Sequence, residues 1–139
     1  MLKTRLLHPE ILEALAEAGH TSKILIADSN FPMLTGSAST ARRVYLNLAP
    51  GQLTVADVLR VLVDMVPFEA VTMAIPASGE VPPIQAEVRE MLPGVPFETC
   101  TRDQLFEIAG SKDLALAIAT GEPRRHANVL LTIGVVEAD

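Results

Sequence analysis

The sequence predicts an α/β chain, a three-layer α/β/α sandwich on a mainly parallel sheet, in a single domain covering residues 1–139. Helical and strand patterns alternate along the chain, which is the first sign of that class. The strand runs are too continuously apolar to be half-exposed, so both faces must be covered. Aromatic residues make up only 4% and Trp is absent, which leaves Leu, Val, Ile and Ala to build the core. At 139 residues, with 49% hydrophobic and 20% charged side chains, the chain suits one globular core and is too short for two.

Taken in order, His8-Pro9-Glu10 opens a helix: proline suits the first helical position, and a glutamate there meets the positive end of the helix dipole. Ile11, Leu12, Leu15 and Ala18 share one face, and Gly19 supplies the stop. Ile24 to Ala27 reads as a doubly covered strand. Ser29 to Thr40, with Pro32, Gly36 and several hydroxyl side chains, reads as a covering loop. Arg43 to Leu48 is the next strand. Thr54 with Asp57 forms a capping box for a helix through Met65, striped by Val58, Leu59, Leu62 and Met65. A buried strand follows from Ala70 to Ile75, then a helix from Ile84 to Leu92 stopped by Pro93-Gly94. Phe97 to Cys100 alternates as a short strand should, and Thr101 with Gln104 caps a helix to Ala109. The last strands, Leu114 to Ala119 and Val129 to Val136, flank the turn Thr120-Gly121-Glu122-Pro123.

A net charge of -6 argues against nucleic acid as partner, because neutralising phosphates needs a basic face. The pairs Arg42-Arg43 and Arg124-Arg125 do not reverse that balance, and the second pair reads as surface or subunit contact. Cys100 is the one cysteine, has no metal-ligand spacing around it, and fits the core of a protein in a reducing compartment. Met1 to Arg5 lacks the apolar run of a signal peptide, and no window has the apolar length of a membrane span. The expectation is a cytoplasmic protein without membrane partner or metal.

Function points to the stretch from Ala18 to Pro32, which delivers His20 just before the first strand and Asp28 just after it. Ligands of open α/β sheets bind beyond the carboxyl ends of strands, which favours Asp28 as a functional group. The bland alternatives are that His20 caps a helix end and that Asp28 forms a turn.

The motifs Gly19-His20, Asp28 with Phe31-Pro32, Thr120-Gly121-Glu122, and Asn128 before an apolar strand ending in Gly134-Val135 resemble the D-ribose pyranase and L-fucose mutarotase family. Order and spacing agree nearly end to end. The resemblance implies a cofactor-free and metal-free enzyme that interconverts anomers or ring forms of a monosaccharide. It also implies a cytoplasmic homo-oligomer, a ring such as a decamer, with sites near subunit interfaces. Carried over by position, His20 is the catalytic residue, and Asp28, Arg102, His126 and Asn128 bind substrate. Arg102 and the aromatic Phe31 beside Pro32 favour the fucose branch over the ribose branch. The chain departs from the family in placing His126 where a tyrosine is usual and in a longer stretch from Gly110 to Asp113.

Ring opening needs a proton removed from the anomeric hydroxyl and one delivered to the ring oxygen. Histidine, with an ordinary pKa of about 6.5, serves in either direction near neutrality. His20 is then the proton donor, His126 a second transfer group in place of a phenol with a pKa of about 10, and Asn128 a donor and acceptor for a diol. The alternatives are D-ribose pyranase, or a non-catalytic monosaccharide-binding module on the same fold. His20, His126 and Asp28 in one pocket would support catalysis, and an outward His126 mere binding.

Overall fold

The computed structural model describes residues 1–139 and contains one six-stranded mixed sheet between two layers of helix. In chain order the elements are α1 (Pro9–Glu17), β1 (Lys23–Ala27), α2 (Met33–Gly36), β2 (Arg42–Tyr45), α3 (Val55–Leu62), β3 (Phe68–Ala74), α4 (Ile84–Met91), β4 (Phe97–Cys100), α5 (Arg102–Ala109), β5 (Leu114–Ala119) and β6 (Val129–Ile133). The strand order is β2-β5-β1-β6-β3-β4. β1 is parallel to β5, β5 to β2, and β3 to β4, while β6 runs antiparallel to β1 and β3.

Alternation along β1 divides the core. Ile24 and Ile26 face a large cluster with Ile11 of α1, Val55, Leu59 and Leu62 of α3, and Ile84 and Val88 of α4. Leu25 and Ala27 face a smaller cluster with Leu105 and Ala109 of α5, Met33 of α2, and Phe31. All four of these β1 side chains are fully buried, as a doubly covered strand requires. The α5 face is lined by Ala27, Ala74, Ala117 and Ala119, so the sheet there is shallow. That leaves room for a cleft above the strand ends.

Local chemistry explains the boundaries. Both capping boxes form: the Thr54 hydroxyl accepts from the Asp57 amide and the Asp57 carboxylate from the Thr54 amide, with Thr101 and Gln104 reciprocating in the same way. His8 caps α1 through Nδ1, which accepts from the Ile11 amide at 3.4 Å. The segment read as loop between Ser29 and Thr40 contains the single turn α2. Strand β2 stops at Tyr45 and not at Leu48, because the Leu48 amide donates to the Gln52 carbonyl and draws the chain into a turn. Helix α3 ends at Leu62, three residues short of Met65.

That turn packs on the end of β5 through Gly121. The Gly51 amide donates to the Gly121 carbonyl at 2.6 Å, and the Gly121 amide donates to Leu53 at 2.7 Å. A Cβ at position 121 would sit 2.6 Å from the Gln52 carbonyl oxygen and nearer still to that of Ala49. Only glycine allows so close a backbone approach. No helix is long and apolar enough to cross a membrane.

Candidate functional site

The carboxyl end of β1 is tied to the segment that follows β5. Thr120 donates its hydroxyl to the Ala27 carbonyl at 2.7 Å, and the Ser29 amide donates to the Glu122 carbonyl. Asp28 sits at the centre, 3% exposed. Its Oδ1 accepts from the Asn30 amide at 2.9 Å, its Oδ2 from the Ala127 amide at 3.3 Å, and its own amide donates to Asn128 Oδ1 at 2.7 Å. Burial pushes the Asp28 carboxyl above its ordinary value, against the opposing pull of the Asn30, Ala127 and Phe31 amides and of His126. Asp28 therefore forms the turn, and the same residue lines the cleft described below.

The adjacent arginines have different fates. Arg124 donates through Nε and its own amide to Glu122 Oε1, at 2.9 and 3.1 Å, reaches Glu122 Oε2 at 3.1 Å, and pairs with Glu87 of α4. The Glu122 side chain is almost fully buried; burial alone would raise its pKa, but the Arg124 bonds hold it below the ordinary carboxylate range. This clamp anchors the loop that ends at His126. His126 has φ 56°, a left-handed conformation that histidine tolerates better than most side chains. The Ala127 amide that follows points at Asp28.

A cleft of about 320 Å³ results, lined by Asp28, Phe31, Arg102, Arg125, His126 and Asn128 among others. Its floor is the tilted pair Phe31 and Phe106, with ring centroids 5.0 Å apart. Arg102 lies over the Phe106 ring, 4.4 Å from its centroid. Four of the five residues singled out in the sequence thus share one cleft. Asn128 differs from expectation in that its acceptor oxygen is already engaged by the Asp28 amide, so its NH₂ remains for a ligand. Arg125, read from the sequence as a surface or contact residue, lines the cleft. Its position directly before His126 was the available signal.

His20 lies elsewhere. It precedes β1 at the opposite end of the sheet, in a shallow groove of about 240 Å³ with Gly19, Met65, Ile133 and Val136. The five residues of β1 alone put roughly 16 Å between the two ends at about 3.3 Å per residue. The His20 Nε2 is 2.9 Å from Glu69 Oε2, with about half of each side chain exposed. Thr21 beside it has φ 72°, strained for a β-branched residue, and donates its amide to the Ile133 carbonyl. No three His, Cys, Asp or Glu side chains converge as a metal site would need. Within one chain, then, His126 joins Asp28 and His20 does not.

Known proteins share this architecture over its whole length. Residues 1–136 match the model of the RbsD / FucU transport protein family. A D-ribose pyranase of Symbiobacterium thermophilum is 33% identical over 135 residues, covering 97% of this chain and 98% of that protein. One from Variovorax paradoxus is 34% identical over 137 residues, with 97% and 98% covered. Among solved structures, Bacillus subtilis RbsD complexed with D-ribose superposes with a TM-score of 0.84 at 27% identity, covering 99% of this chain and 100% of that one. The fucose mutarotase from Streptococcus pneumoniae in complex with L-fucose superposes with a TM-score of 0.81 at 25% identity, covering 98% and 100%. By family match and by identity over nearly all of its length, the chain belongs to the RbsD / FucU family.

Proposed function

We propose that this protein is a cofactor-independent sugar mutarotase or pyranase, which exchanges the ring forms of a monosaccharide by acid-base ring opening and closing. The observation that carries the reading is the convergence of Asp28, Arg102, His126 and Asn128 on one cleft of about 320 Å³, near the lower end of volumes typical of small-molecule sites. Relatives named D-ribose pyranase, and neighbours solved with D-ribose and with L-fucose, support a monosaccharide as ligand. Arg102 and Phe31 incline the reading toward L-fucose, and the names of the relatives toward D-ribose.

Each residue has a role in this chemistry. Asp28 retains unoccupied lone pairs beside its two amide donors and accepts from a sugar hydroxyl. His126 carries one proton, and the Asn128 NH₂ donates to a hydroxyl oxygen. His20 carries the second proton from a neighbouring copy, because the two halves sit at opposite ends of β1. Joining one end of a chain to the other end of the next is a head-to-tail contact, which gives a ring where the rotation between copies closes. Exposed apolar side chains at both ends suit such a contact: Met65 and Val136 near His20, and Leu34, Tyr45 and Leu48 on the far side.

The test is proton NMR saturation transfer between the anomeric signals of L-fucose and of D-ribose. Wild-type protein should accelerate exchange of at least one sugar, and His20→Ala should slow it roughly 100-fold to 10,000-fold. Failure of both sugars to exchange would overturn the two assignments. Mixing His20→Ala with Asp28→Asn subunits tests the shared site: random reassembly of a head-to-tail ring restores about one quarter of the sites, whereas a site within one chain restores none.

A further inference from the structure

The buried carboxylate that the proposed chemistry does not use is Glu122. It belongs to the motif Thr120-Gly121-Glu122, which stands beside the cleft but not in its lining. Only 1% of the residue is exposed, yet three segments of the chain converge on it. Arg124 donates to Oε1 through Nε and through its own amide, and to Oε2 through Nη2. Burial opposes the charge of Glu122, and the Arg124 bonds together with the amide of Val55, first residue of α3, sustain it. The Glu122 carbonyl accepts from the amide of Ser29, the residue after Asp28.

This clamp reaches round the end of the sheet. Glu87, the other partner of Arg124, stands on α4, which Ile84 and Val88 fix in the larger core cluster beside α3. The cleft lies on the other face, where α5 supplies Arg102, Leu105 and Phe106. The path between the two is short, Arg124-Arg125-His126, and Pro123 fixes one backbone angle at its start. Two amides in this loop donate to carboxylates, that of Arg124 to Glu122 and that of Ala127 to Asp28, and His126 sits between them at φ 56°. A side chain in the left-handed region stays there only where its surroundings over-determine it, and these bonds flank it on both sides. Asn128 is secured differently, by the Asp28 amide at 2.7 Å and by β6, which begins at the next residue.

We infer that Arg124 and Glu122 are positioning residues for proton transfer by His126, with Glu87 of α4 as their outer anchor. The inference rests on the role proposed for His126 and adds what holds that ring in place. None of the three lines the cleft, so their effect passes through the backbone from Arg124 to His126. Asn128, Arg102 and Phe106 are held by β6 and α5, independently of the clamp. Loss of the clamp therefore falls on turnover and spares affinity.

A double-mutant cycle on sugar exchange, followed by NMR saturation transfer with L-fucose and D-ribose well below the lowest Tm of the set, decides the matter. Arg124→Ala should lower kcat about tenfold to 100-fold, the cost of a displaced reacting group, with KM within about twofold of wild type. Arg124→Lys should recover part of it, since an ammonium still meets Glu122 but lacks the fork that also reaches Glu87. In a His126→Ala background, Arg124→Ala should cost nothing further, because the group it positions is gone. Glu87→Gln, at a half-exposed position, keeps the test open should the Arg124 variants fold poorly: kcat should fall severalfold with Tm nearly unchanged. Amide hydrogen exchange needs no turnover, and in Arg124→Ala the Ala127 amide should exchange about tenfold faster while that of Ile26 in β1 keeps its rate. Equal losses from Arg124→Ala with and without His126, an unchanged kcat in Glu87→Gln, or unchanged protection of Ala127 would each overturn the inference and leave His126 its role. Wild-type exchange in His126→Ala would sink that role and this inference together.

Discussion

The two ends of β1 carry the same kinds of side chain and hold them in opposite ways. Beyond its carboxyl end, Asp28, Glu122, Arg124 and Asn128 are bonded to one another and to backbone amides, with both carboxylates buried. Before its amino end, His20 and Glu69 meet at 2.9 Å with about half of each side chain in solvent. Each end also has a non-glycine residue in the left-handed region, Thr21 at one and His126 at the other. At the carboxyl end the strained residue is enclosed by buried side chains and their hydrogen bonds; at the amino end Thr21 is held by backbone, its amide donating to Ile133, the Ile133 amide to Ser22 and the Ser22 amide to Gly19. One end holds its carboxylates buried, and the other leaves its charged side chains in solvent.

The largest effect expected from this contrast is on the Arg124 clamp. Arg124→Ala leaves the buried Glu122 without its cation; because the Arg124 side chain is itself 41% exposed and water can replace part of it, the cost is about 1–2 kcal/mol, read by urea denaturation at pH 7. Because the folded pKa of Glu122 lies below its ordinary 4.5, the pair adds stability at neutral pH that is lost as pH falls through and below that value. The deficit of Arg124→Ala should therefore narrow on acidification. Asp28 behaves with the reverse sign. Its folded pKa lies above 3.8, so its ionisation opposes folding at neutral pH and the penalty disappears as pH falls through the folded value. Asp28→Asn turns an NH₂ toward a backbone donor and costs about 1 kcal/mol at pH 7. That deficit should widen on acidification, since the wild type gains stability that the amide cannot. Parallel rather than opposed pH responses in the two variants would break the account of how these carboxylates are held.

The capping boxes, the doubly covered strands and the position of Asp28 were legible in the sequence because each depends on residues a few positions apart. β4 and β5 were readable to the residue, as Phe97–Cys100 and Leu114–Ala119, since turn formers bound them on both sides. The antiparallel insertion of β6 between β1 and β3 was not, because pairing across the sheet leaves no short-range mark. The same limit hid the roles of Arg124 and Arg125. Which of two adjacent arginines turns into the cleft depends on the left-handed backbone at His126 and on Glu87, 37 positions away. Resemblance gathered His20 with the other four residues, but the chain puts them at two ends of one strand.

The smallest expected effect on stability belongs to the exposed end, and it is the most informative about the chemistry. An ion pair with side chains 50% and 42% exposed contributes less than about 1 kcal/mol, so Glu69→Gln should leave the Tm nearly unchanged. Glutamine keeps an oxygen acceptor for the His20 ring and removes the charge beside it. If Glu69 is a positioning residue for proton transfer by His20, exchange should fall through kcat with KM unmoved, by roughly tenfold, and Glu69→Asp should recover part of it. An unchanged kcat beside an unchanged Tm would mean that the imidazole takes its working orientation from the neighbouring copy. The amino end of β1 would then supply the ring alone, and the finished carboxyl end would supply everything that holds it.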